Sequence, residues 1–255
     1  MERIDNYERR FGGIERLYGS DEQQRLRRAH ICVIGIGGVG SWAVEALARS
    51  GIGKLTLIDM DDICVTNINR QIHALSGNIG QLKTEVMKAR VQLINPESEV
   101  HIIDDFLDPE NLNEYLDRGY DYIIDAIDNV RTKAALIAYC KSRRLKLISI
   151  GGAGGQTDPS RIRITDLSKT VQDPLLARVR ALLRKEYGFS RDPKKKFGID
   201  CVFSEQALIF PKVGKDCTLS ATMNCANGFG ATTVVTATFA FFAVARVIDK
   251  LLALR

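Results

Sequence analysis

The chain has 255 residues, 45% of them hydrophobic, and a formal net charge of +5, enough for a substantial core within one domain. No apolar h-region follows Met1-Glu2-Arg3-Ile4, which excludes a secretory signal from the expectation. The six cysteines are scattered without a C-x-x-C pair, which points to a reducing, cytoplasmic compartment and away from structural zinc.

In chain order, strand-like and helix-like runs alternate through the first 150 residues. His30–Ile36 is a short apolar run, Ser41–Ser50 has helical spacing, Lys54–Met60 reads as a strand and Lys83–Leu93 as a helix. Val100–Asp104 and Tyr120–Ile127 are further strands, followed by a helix over Arg131–Arg143 and a strand over Leu145–Ile150. This alternation predicts an α/β chain with a doubly wound, mainly parallel, Rossmann-like sheet. Gly-Gly-Ala-Gly-Gly at 151–155 punctuates the end of that half. Beyond it, Pro174–Tyr187 predicts a basic helix and Cys201–Phe210 another strand. There is no internal repeat and no clear linker. The expectation is therefore one domain over 1–255, with the half 156–255 elaborating the sheet of 1–155.

The net charge is unevenly spread. Between Ala177 and Phe197 lie eight cations (Arg178, Arg180, Arg184, Lys185, Arg191, Lys194, Lys195 and Lys196) against only Glu186 and Asp192. Such a segment suits a polyanionic partner; a solvated, mobile insertion fits the same charge. Ala231–Ile248 is the longest apolar run, but it contains four threonines and Arg246. An arginine inside a membrane span is costly, so a buried core or interface helix is expected, without stable membrane insertion.

Gly35, Gly37 and Gly40 form G-x-G-x-x-G between a strand and a helix, with Gly38 inside the motif. The first glycine permits the tight turn, the second lets phosphates approach the backbone, and the third allows close helix–strand packing. The helix N-terminus then offers free N–H groups to an anion. Asp59 ends the next strand, nineteen residues after Gly40, where a carboxylate can accept from ribose hydroxyls. These features fit NAD and ATP alike. The continuation Asp59-Met-Asp61-Asp62-Ile-Cys-Val-Thr-Asn67-Ile-Asn69-Arg70-Gln71, with Lys83 on the next helix, favours a triphosphate, whose departing pyrophosphate needs charge compensation. Asp128 follows the Tyr120–Ile127 run, at the strand end where such sheets bind ligands, and can hold Mg²⁺ between phosphate oxygens. Asp125 lies earlier in the strand and reads as structural.

Together these residues resemble the ubiquitin-activating-enzyme-like adenylating proteins, which include the bacterial activators of the molybdopterin and thiamine sulfur carriers. The resemblance runs over roughly 7–155 through G-I-G-G-V-G, D-M-D-D-I-C-V-T-N-I-N-R-Q, Lys83 and D-A-I-D-N. It implies ATP and Mg²⁺ as cofactors, with Asp59 at the ribose, Asn67, Arg70 and Lys83 at the phosphates, and Asp128 at the metal or near the α-phosphate. Gly35, Gly37, Gly38, Gly40, Asp61, Asn69 and Gln71 complete the nucleotide-binding set, although Asn69 and Gln71 fit equally well as residues that fix the loop. It also implies a homodimer in which an N-terminal arginine reaches the partner's ATP. The segment Arg10-Phe-Gly-Gly-Ile-Glu-Arg16 departs from the R-Y-x-R-Q pattern of the sulfur-carrier activators, and Arg16 is the expected residue.

Two absences narrow the substrate. The zinc-binding C-x-x-C pairs of the sulfur-carrier activators are missing, and there is no room for the catalytic cysteine domain of ubiquitin-type activators. F-G-G-I-E-R-L-Y-G, G-G-A-G-G-Q-T-D-P at 151–159, G-I-D-C-V-F-S at 198–204 and C-A-N-G-F-G-A at 225–231 resemble the branch of the family that acts on tRNA. That branch implies ATP-dependent cyclisation of threonylcarbamoyladenosine beside the anticodon, with the stretch 178–196 facing tRNA phosphates and a cysteine desulfurase or sulfur acceptor as a further partner. Phe197, Phe203 and Phe229 are candidates to stack on the base, or core residues. Cys201 is a candidate sulfur acceptor, or an inert buried thiol. Adenylation of the C-terminal Gly-Gly of a sulfur-carrier protein stays open as the alternative. Asn67, Arg70 and Lys83 weigh against an NAD(P)-dependent oxidoreductase, and the intact polar set weighs against a vestigial scaffold.

Overall fold

The computed structural model describes residues 6–210 and 229–253. Two N-terminal helices, α1 (Tyr7–Tyr18) and α2 (Ser20–Arg28), precede β1 (His30–Ile34), α3 (Gly40–Arg49) and β2 (Lys54–Ile58). Then come α4 (Lys83–Ile94), β3 (Glu99–Ile103), α5 (Leu112–Leu116), β4 (Tyr122–Asp125), α6 (Val130–Arg143) and β5 (Leu147–Ile150). The second half supplies β6 (Ile162–Asp166), α7 (Pro174–Glu186), β7 (Asp200–Ser204) and α8 (Thr233–Leu252). The strands form one sheet in the order β3-β2-β1-β4-β5-β7-β6. Every neighbouring pair is parallel except β6 with β7.

Side chains alternate across a strand, and β1 shows the consequence. Ile31 and Val33 face a core built with α2, α3, α4 and α8, whereas Cys32 and Ile34 face one built with α5, α6 and α7. A sheet covered on both faces has strands that read as apolar runs rather than alternating ones. That is why the predicted elements of the first half stand where expected, within a few residues at their ends.

The second half departs from expectation in two ways. The strand predicted over Cys201–Phe210 stops at Ser204. Beyond it the Gln206 amide oxygen accepts from the N–H groups of Thr157 and Asp158, which turns the chain away and leaves Ile209 and Phe210 exposed. The partner of β7 on the sheet edge is β6, which the sequence reading missed. Its residues Ile-Arg-Ile-Thr-Asp mix apolar and polar positions because only part of an edge strand is covered. The apolar run at 231–248 is α8, packed on α3 and on β5, β6 and β7, with Arg246 paired to Asp200 at 2.7 Å. Among the described residues no helix is long and apolar enough to cross a membrane.

The basic segment is not a loose insertion. Leu175, Leu176, Val179 and Leu183 of α7 are buried. Arg180 donates to Thr170 Oγ1, and Arg184 to Ser190 O while lying over the Phe197 ring. The following loop is anchored by Asp166, whose carboxylate accepts from the N–H groups of Phe197, Gly198 and Ile199. Six of the eight cations are left on the surface.

Candidate active site

The glycine turn lies between β1 and α3, at the carboxyl end of the parallel strands. Gly35 has φ of +85°, and a Cβ there would meet Ala126 O at 2.9 Å. At Gly40 a Cβ would sit 1.8 Å from Gly35 O, so no side chain fits. The turn is fastened to β2 by Asp59: its Oδ2 accepts from Ile36 N–H at 2.6 Å, and its Oδ1 from Asp61 N–H at 2.9 Å. Burial raises the Asp59 pKa above the ordinary carboxylate value, against the opposing pull of Lys83 and of the two N–H groups.

Lys83 opens α4 and points back into this corner. Its side chain is 6% exposed and its ammonium lies 2.6 Å from Asp61 Oδ2 and 3.9 Å from Asp59 Oδ1. Asp61 thus belongs to the site through Lys83. The loop between β2 and α4 brings in Arg70, whose Cγ and Cδ would touch a Cβ at Gly38 at 3.2 and 3.3 Å. One guanidinium nitrogen, Nη1, donates to Thr66 O and Asn69 Oδ1; Nε and Nη2 have no hydrogen-bond partner among the described residues. That is a guanidinium held in place with donors to spare, which suits a phosphate. The Gln71 amide lies beside Gly37, and its Oε1 is buried without a partner.

Asn67 and Asn69 both help to shape this loop. Asn67 Oδ1 accepts from Cys64 N–H, closing a short 3₁₀ turn at Val65–Asn67. Asn69 Nδ2 donates to Ala231 O, and Asn69 O accepts from Thr233 Oγ1, which ties the loop to the start of α8. The structure therefore favours loop fixing for Asn69.

Across the turn, Asp128 is exposed just beyond the end of β4 and has no ion-pair partner among the described residues. One free carboxylate beside a phosphate site suits Mg²⁺, which is commonly held by one or two carboxylates plus substrate phosphates; no cluster of three or more metal-ligating side chains occurs among the described residues. Asp125 is structural, as expected: its fully buried carboxylate pairs with the equally buried Lys133 at 2.9 Å. Arg16 is not brought to this constellation. It is exposed on α1, its guanidinium beside Gly12 of the same helix.

Over 7–253 the chain matches the profile of the ThiF family. The chain belongs to the ThiF family. Within this family it is similar to the tRNA threonylcarbamoyladenosine dehydratase of Haemophilus influenzae, with 73% identity over 99% of this chain and 97% of that protein. The Escherichia coli protein of the same name is 56% identical over 98% of this chain and 96% of its own length. The crystal structure of the Escherichia coli dehydratase in complex with ATP superposes with a TM-score of 0.90 at 53% identity, covering 99% and 98% of the two chains. The family expected from the motifs and the Rossmann-like fold are both found.

Two residues of this ThiF-family site escaped the sequence reading. His73 is 1% exposed and its Nε2 donates to Ile36 O at 2.9 Å, so it bears on the glycine turn from the side opposite Asp59. Burial lowers its pKa below the ordinary 6.5, against the hydrogen bond to Ile36 O, which raises it. Lys133 donates to Ile127 O at 2.8 Å and so holds the segment that carries Asp128. Their signal in the sequence was only proximity: His73 follows Gln71 by two residues, and Lys133 lies one turn into the helix after Asn129. Of the other candidates, Phe197, Phe203 and Cys201 are buried. Burial pushes the Cys201 thiol well above its ordinary pKa, which matches an inert thiol. Phe229 is half-buried against Phe210, with ring centroids 5.4 Å apart. Residues 225–228 of the C-A-N-G-F-G-A segment lie outside the described residues.

Proposed function

We propose that this protein uses ATP to dehydrate threonylcarbamoyladenosine next to the tRNA anticodon, forming its cyclic derivative. The observation that carries the reading is the glycine turn with Arg70 and Lys83 beside it, in a chain that matches named dehydratases from end to end. The threonyl carboxylate attacks the α-phosphorus of ATP, which yields an acyl-adenylate and pyrophosphate. The carbamoyl group then closes onto the activated carbonyl, loses a proton and expels AMP. Closure is intramolecular and has a high effective molarity, so no enzyme nucleophile is needed.

The protein's task is to position the reactants and stabilise charge. The N–H groups at the start of α3 receive phosphate oxygens. Arg70 offers Nε and Nη2, and Lys83 its ammonium, to the charge that gathers on the departing pyrophosphate. Asp59 lies where ribose hydroxyls donate, and Asn67 shapes the loop that presents Arg70. Asp128 would hold Mg²⁺, which when bound neutralises phosphate charge. The same proposal takes the chain as a cytoplasmic homodimer whose exposed Arg16 reaches the partner's nucleotide.

The test is pyrophosphate release with ATP, Mg²⁺ and tRNA bearing threonylcarbamoyladenosine, followed by mass spectrometry of the nucleosides. Loss of one water from that nucleoside is the expected result. If there is neither pyrophosphate nor a mass change, while a sulfur carrier ending in Gly-Gly is adenylated, the reading falls to its alternative.

A further inference from the structure

A groove of about 750 Å³ opens at the amino ends of β4, β5 and β7, the end of the sheet opposite the glycine turn. Its walls come from the C-terminus of α6 with the start of β5, the end of β6, the loop before β7 and the last turns of α8. Both acidic residues lining it are internally compensated. Asp200 pairs with Arg246, and Asp166 accepts from three backbone N–H groups of the loop. The cations are not compensated: Arg144, Lys146 and Lys196 are exposed and have no ion-pair partner among the described residues. Arg144 caps α6 with φ of +57°, a backbone state that glycine or asparagine takes more readily. A second groove of about 630 Å³ shares Lys196 and adds the aromatic rings of Tyr139, Tyr187 and Phe189.

The helix α7 connects this end to the candidate active site. It starts beside Gly152, whose N–H donates to the capping Asp173 just beyond the carboxyl end of β5. Its 13 residues then run about 20 Å at 1.5 Å each, to the loop that lines the groove. Arg178 is exposed along the way. One polyanion lying along α7 would thus reach both ends of the sheet.

We propose that this groove binds the phosphodiester backbone of the tRNA, away from the reacting base. The inference rests on the tRNA reading above and extends its footprint to the far end of the sheet. Uncompensated cations beside the exposed Tyr187 ring suit a nucleic acid; an acidic protein partner would have no use for the ring.

The test compares Arg144→Gln/Lys146→Gln with the charge-matched Arg25→Gln/Arg28→Gln on α2, using full-length tRNA and fluorescence anisotropy at several salt concentrations. Each phosphate contact contributes about 0.7–0.9 to the slope of log K against log salt. The groove variant should lose about 1.5 from that slope and bind tRNA roughly tenfold more weakly near 0.15 M salt. Its kcat should be unchanged at saturating tRNA, with KM raised. Lys196→Gln should show about half the change in slope, and the α2 variant should match the wild type. If the groove variant keeps the wild-type Kd and slope while the wild type binds and cyclises tRNA, the groove assignment is overturned and the function stands. If the wild type binds no tRNA, the functional reading fails, and the groove assignment fails with it.

Discussion

Replacing Lys133 by Met isolates the device that holds the Asp128 segment. Both Lys133 and Asp125 side chains are 0% exposed, 2.9 Å apart. Lys133 also donates to Ile127 O at 2.8 Å, and Asp125 accepts from Ser149 Oγ at 2.7 Å and Ile127 N–H at 3.1 Å. Methionine keeps the aliphatic stem, so packing changes little. It leaves Asp125 buried without its cation and Ile127 O without its donor. Breaking a buried pair from one side costs about 3–5 kcal/mol, and the orphaned carbonyl lies within that figure rather than on top of it. In urea titrations at pH 7 the unfolding free energy should fall by that amount, and the midpoint by that amount divided by an unchanged m. Lys133→Met/Asp125→Asn should recover most of the loss, because Asp125 then carries no charge to leave unpaired. Below its melting point Lys133→Met should also show a reduced kcat for pyrophosphate release, since Asp128 follows the freed segment. A loss below about 1 kcal/mol, or a double variant weaker than the single one, would refute the argument.

Gly40→Ala would drive a Cβ to 1.8 Å from Gly35 O, where only backbone can yield. It should abolish ATP binding by calorimetry, and a Kd within tenfold of wild type would show that the turn relaxes. For pH dependence the sign follows from burial. His73 in the folded chain has a pKa below its ordinary 6.5, and burial with the charge of Lys54 lowers His30 to about 4. The unfolded chain therefore binds protons that the folded chain refuses, so stability falls as pH drops through 6.5. Urea midpoints should be flat above pH 7 and decline towards pH 5, with a shallower decline in His73→Asn; equal midpoints at pH 7.5 and 5 would contradict the assignment. Asp61→Asn removes the carboxylate that holds Lys83 at 2.6 Å. If Lys83 serves the phosphates, losing that competitor should tighten ATP binding a few-fold. A loss of tenfold or more would mean instead that Asp61 touches the nucleotide or its metal.

How much of this molecule was legible depended on whether a property is local. β1 and β4 are covered on both faces, so their residues form apolar runs that any reading finds. The glycine turn is legible as a motif, although only Gly40 answers to a clash within six residues, with Gly35 O, while Gly35 is bounded by Ala126 O just past the end of β4. β6 was missed because an edge strand covered in part has no uniform pattern, and its antiparallel pairing depends on β7, more than thirty residues away. The far groove was illegible for a stronger reason. Its free cations Arg144, Lys146 and Lys196 come from two segments fifty residues apart, and the acids that would cancel them are compensated by Arg246 and by backbone N–H groups. Counting charge along 178–196 included Arg180 and Arg184, which the fold turns inward, and overlooked Arg144 and Lys146.

The loop from Asp61 to Gln71 shows where sequence reading of a site stops. Asn67, Asn69, Arg70 and Gln71 are all polar residues next to a phosphate turn, and their hydrogen-bonding capacities alone do not separate ligand from scaffold. The spare capacity of each atom does. Asn69 is engaged with Ala231 O and Arg70, and Asn67 Oδ1 with Cys64 N–H. Arg70 retains two donor nitrogens, and Gln71 retains a buried acceptor. Burying a polar atom without a partner costs about 1–3 kcal/mol, which a ligand can return on binding. Donors on Arg70 match phosphate oxygens. The Gln71 acceptor does not, because phosphate oxygens only accept, whereas its Nε2, beside Gly37 and without a hydrogen-bond partner among the described residues, is a donor that does. The unused atoms thus set Arg70 and Gln71 apart from Asn69, whose side-chain oxygen and nitrogen are both already bound.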